Sequence, residues 1–170
     1  MLRKKNMLNN LKKNSRPYQT KFSFGATSAI ITNLGLIVGL DTLVRPQLAI
    51  ISGILIIALA DNIADSFGIH IYQESEYLGK KEVWFSTLTN FFTRVFVSLT
   101  FIILVIALPL GIAVPCSILW GLVLLAIMSY TIARDRGVNP YLAIFEHISI
   151  ALVVIIASNF AGKFLLLKFK

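Results

Sequence analysis

Five apolar runs, at 22–44, 48–72, 85–108, 112–133 and 141–162, constrain this chain more than any other feature. About twenty consecutive apolar residues are what a helix needs to cross the hydrocarbon core of a bilayer. In 170 residues, five such runs leave room only for short connections. The fold class expected is therefore all-α, an integral membrane bundle of five transmembrane helices over 22–167, preceded by a basic tail at 1–21. A chain that is 56% hydrophobic and 14% charged is too apolar for a soluble globular domain and far too apolar for a disordered one. The lipid bilayer is the first partner this sequence implies.

The formal charge of +8 is concentrated rather than spread, because Arg3, Lys4, Lys5, Lys12, Lys13, Arg16 and Lys21 all precede the first apolar run. A basic tail beside a membrane span reads as a topology determinant or an anionic-lipid contact, not as a nucleic-acid surface. With the N-terminus inside, Lys80, Lys81, Arg134 and Arg136 share the tail's side, against Arg45, Lys163, Lys168 and Lys170 opposite. The positive-inside rule then predicts a cytoplasmic N-terminus, and a multi-pass protein of the cell membrane is expected. Breakers fall between the runs: Arg45-Pro46, the segment 109–115 with Pro109 and Pro115, and the segment 137–140 with Gly137 and Pro140. Only the connection 73–84 reads as longer. The single Cys116, the lack of any zinc-type Cys/His spacing, and the lack of a phosphate loop or Ser/His/Asp order give no sign of an enzyme or a resident cofactor.

One stretch does not fit a plain lipid-facing span. Asp61 and Asp65 lie one helical turn apart inside the second apolar run. A charge at the centre of a membrane helix costs at least ~2.5–3.5 kcal/mol, so such acids pair, titrate or bind a cation. On a regular helix their face continues to Tyr72 and Glu76, while His70 points away. Asp61, Asp65, Glu76 and the amide oxygen of Asn62 make an oxygen-rich ligand set suited to hard or borderline divalent ions. Arg94 in the third span matches the acids in depth, and Glu146 and His147 stand near the start of the fifth. One arginine cannot neutralise Asp61, Asp65 and Glu146 together, so a carboxylate is left to be protonated, solvated or matched by a cation. This favours a cation or proton pathway over a static polar scaffold fixed by Arg94. The D-x-x-x-D spacing also occurs in lipid head-group phosphotransferases, but the residues before Asp61, IISGILIIALA, lack that family's D-G-x-x-A-R element, leaving it a minor alternative. In the first span, Gly25, Ser28, Thr32, Gly35 and Gly39 form a stripe of small residues that marks a helix-packing or dimer face.

Two segments carry a family resemblance. The run Phe24-Gly25-Ala26-Thr27-Ser28-Ala29-Ile30-Ile31-Thr32 is similar to an F-G-x-x-D-G-x-x-T pattern, and Ala60-Asp61-Asn62-Ile63-Ala64-Asp65-Ser66 to an S-M-A-x-G-E-Y pattern. Both patterns belong to the vacuolar iron transporter family, and the resemblance extends over roughly 22–165. It implies a five-span homodimer with a pathway between the first spans that exports Fe²⁺ or Mn²⁺ from the cytosol, with the metal as substrate; coupling to protons is expected separately, because protonating the carboxylates would release the ion. This chain departs from the patterns at the ligands: the family's first-span aspartate falls on Ser28, its second-span methionine on Asp61 and its glutamate on Asp65. The family's glutamate-rich cytoplasmic insertion shrinks here to 73–84, with Glu74, Glu76 and Glu82.

Overall fold

The computed structural model describes residues 17–168, with side chains from Gly25 onward. The basic tail therefore lies largely outside the described residues. Six α-helices follow in order: α1 (Pro17–Leu40), α2 (Pro46–Ile56), α3 (Asn62–Ser75), α4 (Lys80–Ala107), α5 (Leu110–Arg136) and α6 (Pro140–Lys168). A π-helical turn, Ile57–Asp61, joins α2 to α3 without a break, and no strand occurs among the described residues. The stretches Pro46–Ser75, Lys80–Ala107, Leu110–Arg136 and Pro140–Lys168 are each long and apolar enough to cross a membrane, and α1 adds the apolar segment Gly25–Leu40. The architecture is an all-α membrane bundle.

The sequence's own punctuation sets the helix starts. Pro46 opens α2 at a position where its missing N–H costs nothing, Pro140 opens α6, and Pro109 is the cap residue before α5. Pro115, expected in a connection, lies inside α5. The segment 73–84 is likewise mostly helical: α3 runs to Ser75, α4 begins at Lys80, and four residues separate them. Polar residues with good helix propensity at both ends, among them Gln73, Lys80, Lys81 and Glu82, let the helices outrun their apolar stretches. Two helix ends close with the same hydrogen-bond pattern. Val138 N–H donates to Ala133 O (3.0 Å) around Gly137 at φ 69°, and Leu78 N–H donates to Gln73 O (3.3 Å) around Tyr77 at φ 57°. Glycine takes that left-handed position freely, whereas Tyr77 is strained there.

Helix α1 is the hub, packing on α4, α5 and α6. Its Ile30, Leu34 and Ile37 meet Ile50 and Ile54 of α2, Phe101 of α4 and Leu125 of α5 in the apolar core. The small-residue stripe on α1 serves this intramolecular packing. A Cβ built on Gly35 would come within 2.9 Å of Val154 Cγ1, and Gly39 lies against Ser158, both on α6. Opposite them, a Cβ on Gly162 would strike the Gly39 carbonyl and sit 3.2 Å from Thr42 Cγ2. Backbone cannot step aside as a flexible side chain can, so Gly162→Ala is expected to destabilise the bundle by about 1–3 kcal/mol. Gly68→Ala, where nothing lies within 4 Å, should leave thermal unfolding in detergent unchanged or slightly raised.

Candidate functional site

The buried positions of the second membrane segment are Ile50, Ile54, Ala58, Asn62, Ser66, His70 and Gln73, spaced by four as far as His70 and by three at the last step. In a regular α-helix that spacing drifts by about 40° per step, enough to carry the stripe off its face within a few turns. The π-turn corrects this. Asn62 N–H reaches back five residues to Ile57 O, and the extra residue in the turn swings the following helix back into register. The side chains change character at the same point, from apolar before the π-turn to polar after it, and Asp61 is its last residue.

Arg94 lies midway along α4 and is fully buried. Its guanidinium draws three helices together. Nε donates to Asn62 Oδ1 (2.7 Å), Nη1 to Ser28 Oγ (2.7 Å) and Asp65 Oδ2 (2.5 Å), and Nη2 to Asp61 Oδ2 (2.6 Å). Planar guanidinium has five N–H donors in a fixed fork, and this cradle engages four of them. The two carboxylates are far less enclosed than the arginine: Asp61 keeps 45% and Asp65 40% of its side-chain surface exposed, against 1% for Arg94. One guanidinium between two carboxylates leaves the cluster one formal negative charge, facing its open side.

From this cluster a ladder of buried polar pairs follows the α3–α4 seam toward the turn between those helices. Asn90 Nδ2 donates to Ser66 Oγ (3.0 Å), His70 Nδ1 lies 3.0 Å from Thr87 Oγ1, and Gln73 Nε2 donates to Ser86 Oγ (2.8 Å). The Thr87 hydroxyl is committed to Val83 O (2.9 Å), which makes His70 Nδ1 the donor. On the other side of Arg94, Asn33 Nδ2 of α1 donates to Ser98 Oγ (2.9 Å). Interhelical bonds of this kind in membranes average only ~0.6 kcal/mol, so Ser66→Ala is expected to cost about that much in a denaturation series. Sequence reading did not single out Ser66, Gln73, Ser86, Thr87, Asn33 or Ser98. Their signal was present as polar residues three or four apart inside apolar runs, 62-66-70-73 facing 86-87-90-94-98.

Several anticipated members fall elsewhere. Glu76 is exposed at the cap position beyond α3, eleven residues or about 16 Å along the axis from Asp65, and takes no part in the cluster. Glu146 is exposed on α6, a helix that packs on α1 and α5, and His147 Nδ1 donates instead to Ser129 Oγ of α5 (2.7 Å). The start of the fifth span does not reach Arg94, because α6 packs on α1 and α5 and α1 stands between it and α4. Asn62 joins the cluster, but through its bond to Arg94. Gly25 backs the ladder: a Cβ there would lie 2.5 Å from Asn90 Oδ1. Thr32, one turn along α1 from Ser28, lines an open groove of about 620 Å³ with Gly35, Gly39, Ile57, Ser158 and Gly162. The near end of the groove, at Ile57 and Thr32, lies one helical turn from Asp61 and Ser28, and the groove runs away from the polar ladder. Among the described residues, no three His, Cys, Asp or Glu side chains converge within one chain.

No protein-family profile, curated protein or solved structure matches this chain.

Proposed function

We propose that this protein is a membrane transporter that moves a divalent cation, Fe²⁺ or Mn²⁺, out of the cytosol, with Asp61 and Asp65 as its central ligands. One observation carries the reading: two carboxylates are half-exposed on the surface of a single chain, midway along a segment long enough to cross a bilayer. Hydrocarbon does not tolerate them there, so that face is covered by water, by an ion or by protein. A homodimer meets the requirement. Two copies facing one another across α1 would bring together four carboxylates and two arginines, a net charge of minus two, which one divalent ion neutralises. Oxygen donors from aspartate, asparagine and serine favour hard or borderline ions, and protonation of the same carboxylates would release them, which couples export to protons.

On this reading the groove of Thr32, Gly35 and Gly39 lines an approach to the acid pair, while the buried polar ladder holds α3 against α4. The N-terminus is cytoplasmic in a cell-membrane protein, as the Lys/Arg distribution favours, and the pattern of the first two segments supports kinship with the vacuolar iron transporters. The engagement of four of the five Arg94 donors favours a second reading, a non-transporting scaffold in which the charges only fix helix packing. Thermal unfolding of the purified protein separates the two. A ligand at a hundred times its Kd stabilises the folded state by about 2.7 kcal/mol. A Mn²⁺-dependent rise in Tm that disappears in Asp65→Asn is expected; a Tm indifferent to Mn²⁺ and Fe²⁺ would establish the scaffold.

A further inference from the structure

We infer that Arg94 is a tethered cation competing with the transported ion for the acid pair, so that ion entry and release of Arg94 are a single exchange. The inference rests on the cation-site reading above and adds how that site is regulated. The oxygen atoms a hard ion would take from this chain are Asp61 Oδ2, Asp65 Oδ2, Asn62 Oδ1 and Ser28 Oγ, and each already accepts a hydrogen bond from Arg94. A divalent ion cannot share those ligands with a guanidinium a few ångströms away, because two cations at that range repel strongly in a membrane interior. The open side of the carboxylates admits the ion, while Arg94 lies behind them on the buried side.

A receiving place for the displaced guanidinium is present in the same seam. Asn90 lies one turn before Arg94 on α4, is 1% exposed, and its Oδ1 is a buried acceptor without a hydrogen bond. That oxygen sits against Gly25 of α1, one turn from the Ser28 that holds Arg94. One turn on the other side, Asn33 donates through Nδ2 to Ser98 and leaves its own Oδ1 unpaired. Unpaired buried acceptors are costly and uncommon, and two of them flank the one buried arginine of the cluster. Asn90 and Ser98, the partner of Asn33, each lie one turn from Arg94 on α4, so a guanidinium leaving the carboxylates would have an unpaired acceptor about one helical turn away in either direction. With Arg94 withdrawn, Asn62 Oδ1 and Ser28 Oγ become free to join the aspartates around the ion.

The exchange fixes what the site accepts. A monovalent ion offers the carboxylates no more charge than the arginine it would replace, whereas a divalent ion does, so the tethered guanidinium sets a threshold that favours divalent over monovalent cations.

Mn²⁺ binding to the purified full-length protein, followed by isothermal titration, tests this with three variants. Arg94→Gln keeps a polar side chain of similar reach without charge, and is expected to bind Mn²⁺ at least about tenfold more tightly than the native protein. Arg94→Lys retains the charge and should stay near native affinity. Arg94→Ala should also bind more tightly, and guanidinium chloride at millimolar concentration should reverse the gain by refilling the vacated cradle. If Arg94→Ala does not fold, the contrast between glutamine and lysine decides the matter alone. Equal Mn²⁺ affinity in native, Arg94→Gln and Arg94→Lys proteins would overturn the exchange while leaving the cation site standing. Absence of Mn²⁺ binding in all of them would overturn both.

Discussion

Arg94→Leu is expected to destabilise the folded protein by about 3–5 kcal/mol, more than any other single substitution in the polar seam. The leucine fills space but strands Asn62 Oδ1, Ser28 Oγ and two carboxylates that shared one cation. The loss should fall toward the lower end of that range, because Asp61 and Asp65 are half-exposed and can take up water or protons. Breaking a charged network costs more than removing it whole. Adding Asp61→Asn and Asp65→Asn to Arg94→Leu should therefore recover much of the lost stability, and a thermodynamic cycle over these variants in mild detergent measures the coupling directly. A cost for Arg94→Leu below about 1 kcal/mol, comparable to that of Ser66→Ala, would mean that Arg94 does not hold the three helices together.

Asp65→Asn and Asp61→Asn are each expected to lower Mn²⁺ flux into proteoliposomes by at least ~100-fold. Loss of an outer partner of a metal site commonly costs ~10–100-fold, and a direct ligand carries more. The single variants are the informative ones. In each of them Arg94 keeps one carboxylate, while replacing both would leave a buried guanidinium without a counter-charge, and lost transport could then reflect misfolding. Monodisperse elution of each single variant, together with a retained unfolding transition, guards against that confusion. Flux at native rates in both would remove the ligands assigned here, whichever ion is carried. Glu76→Gln serves as the contrast: its carboxylate is exposed beyond the end of α3, and flux should change little.

The site read from the sequence differs from the side-chain cluster in the structure for a definite reason. Counting by 100° per residue projects Asp61, Asp65, Tyr72 and Glu76 onto one face, but Glu76 caps the far end of α3, about 16 Å along the axis from Asp65. Glu146 and His147 stand near the start of the fifth span, on the same side as the acids, and position along a span carries no information about lateral neighbours. Helix α6 is instead held against α1 by the close approach of Gly162 to Gly39 and by the seat of Gly35 against Val154 and Ser158. The small-residue stripe on α1 was legible as a packing face. Its occupant, α6, was not, because glycine spacing says how near a helix can come and nothing about which helix comes.

What the sequence determined by itself was the number of apolar helices, the prolines that start them, and the pair of acids in the second, since hydrophobic length and the cost of burying charge are local properties that any packing must respect. The antiparallel pairing of α3 with α4 was also within reach, because the two are consecutive and polar positions recur at matching intervals on both, although the four-residue turn between them is shorter than the connection 73–84 expected from the sequence. Tertiary structure alone decided that Arg94 bridges both aspartates, that Ser28 of α1 completes its cradle, and that a π-turn keeps the buried face in register across Asp61. Each of these depends on how three helices are rotated about their own axes. That rotation follows from side-chain packing summed over the whole bundle, and no single stretch of sequence encodes it.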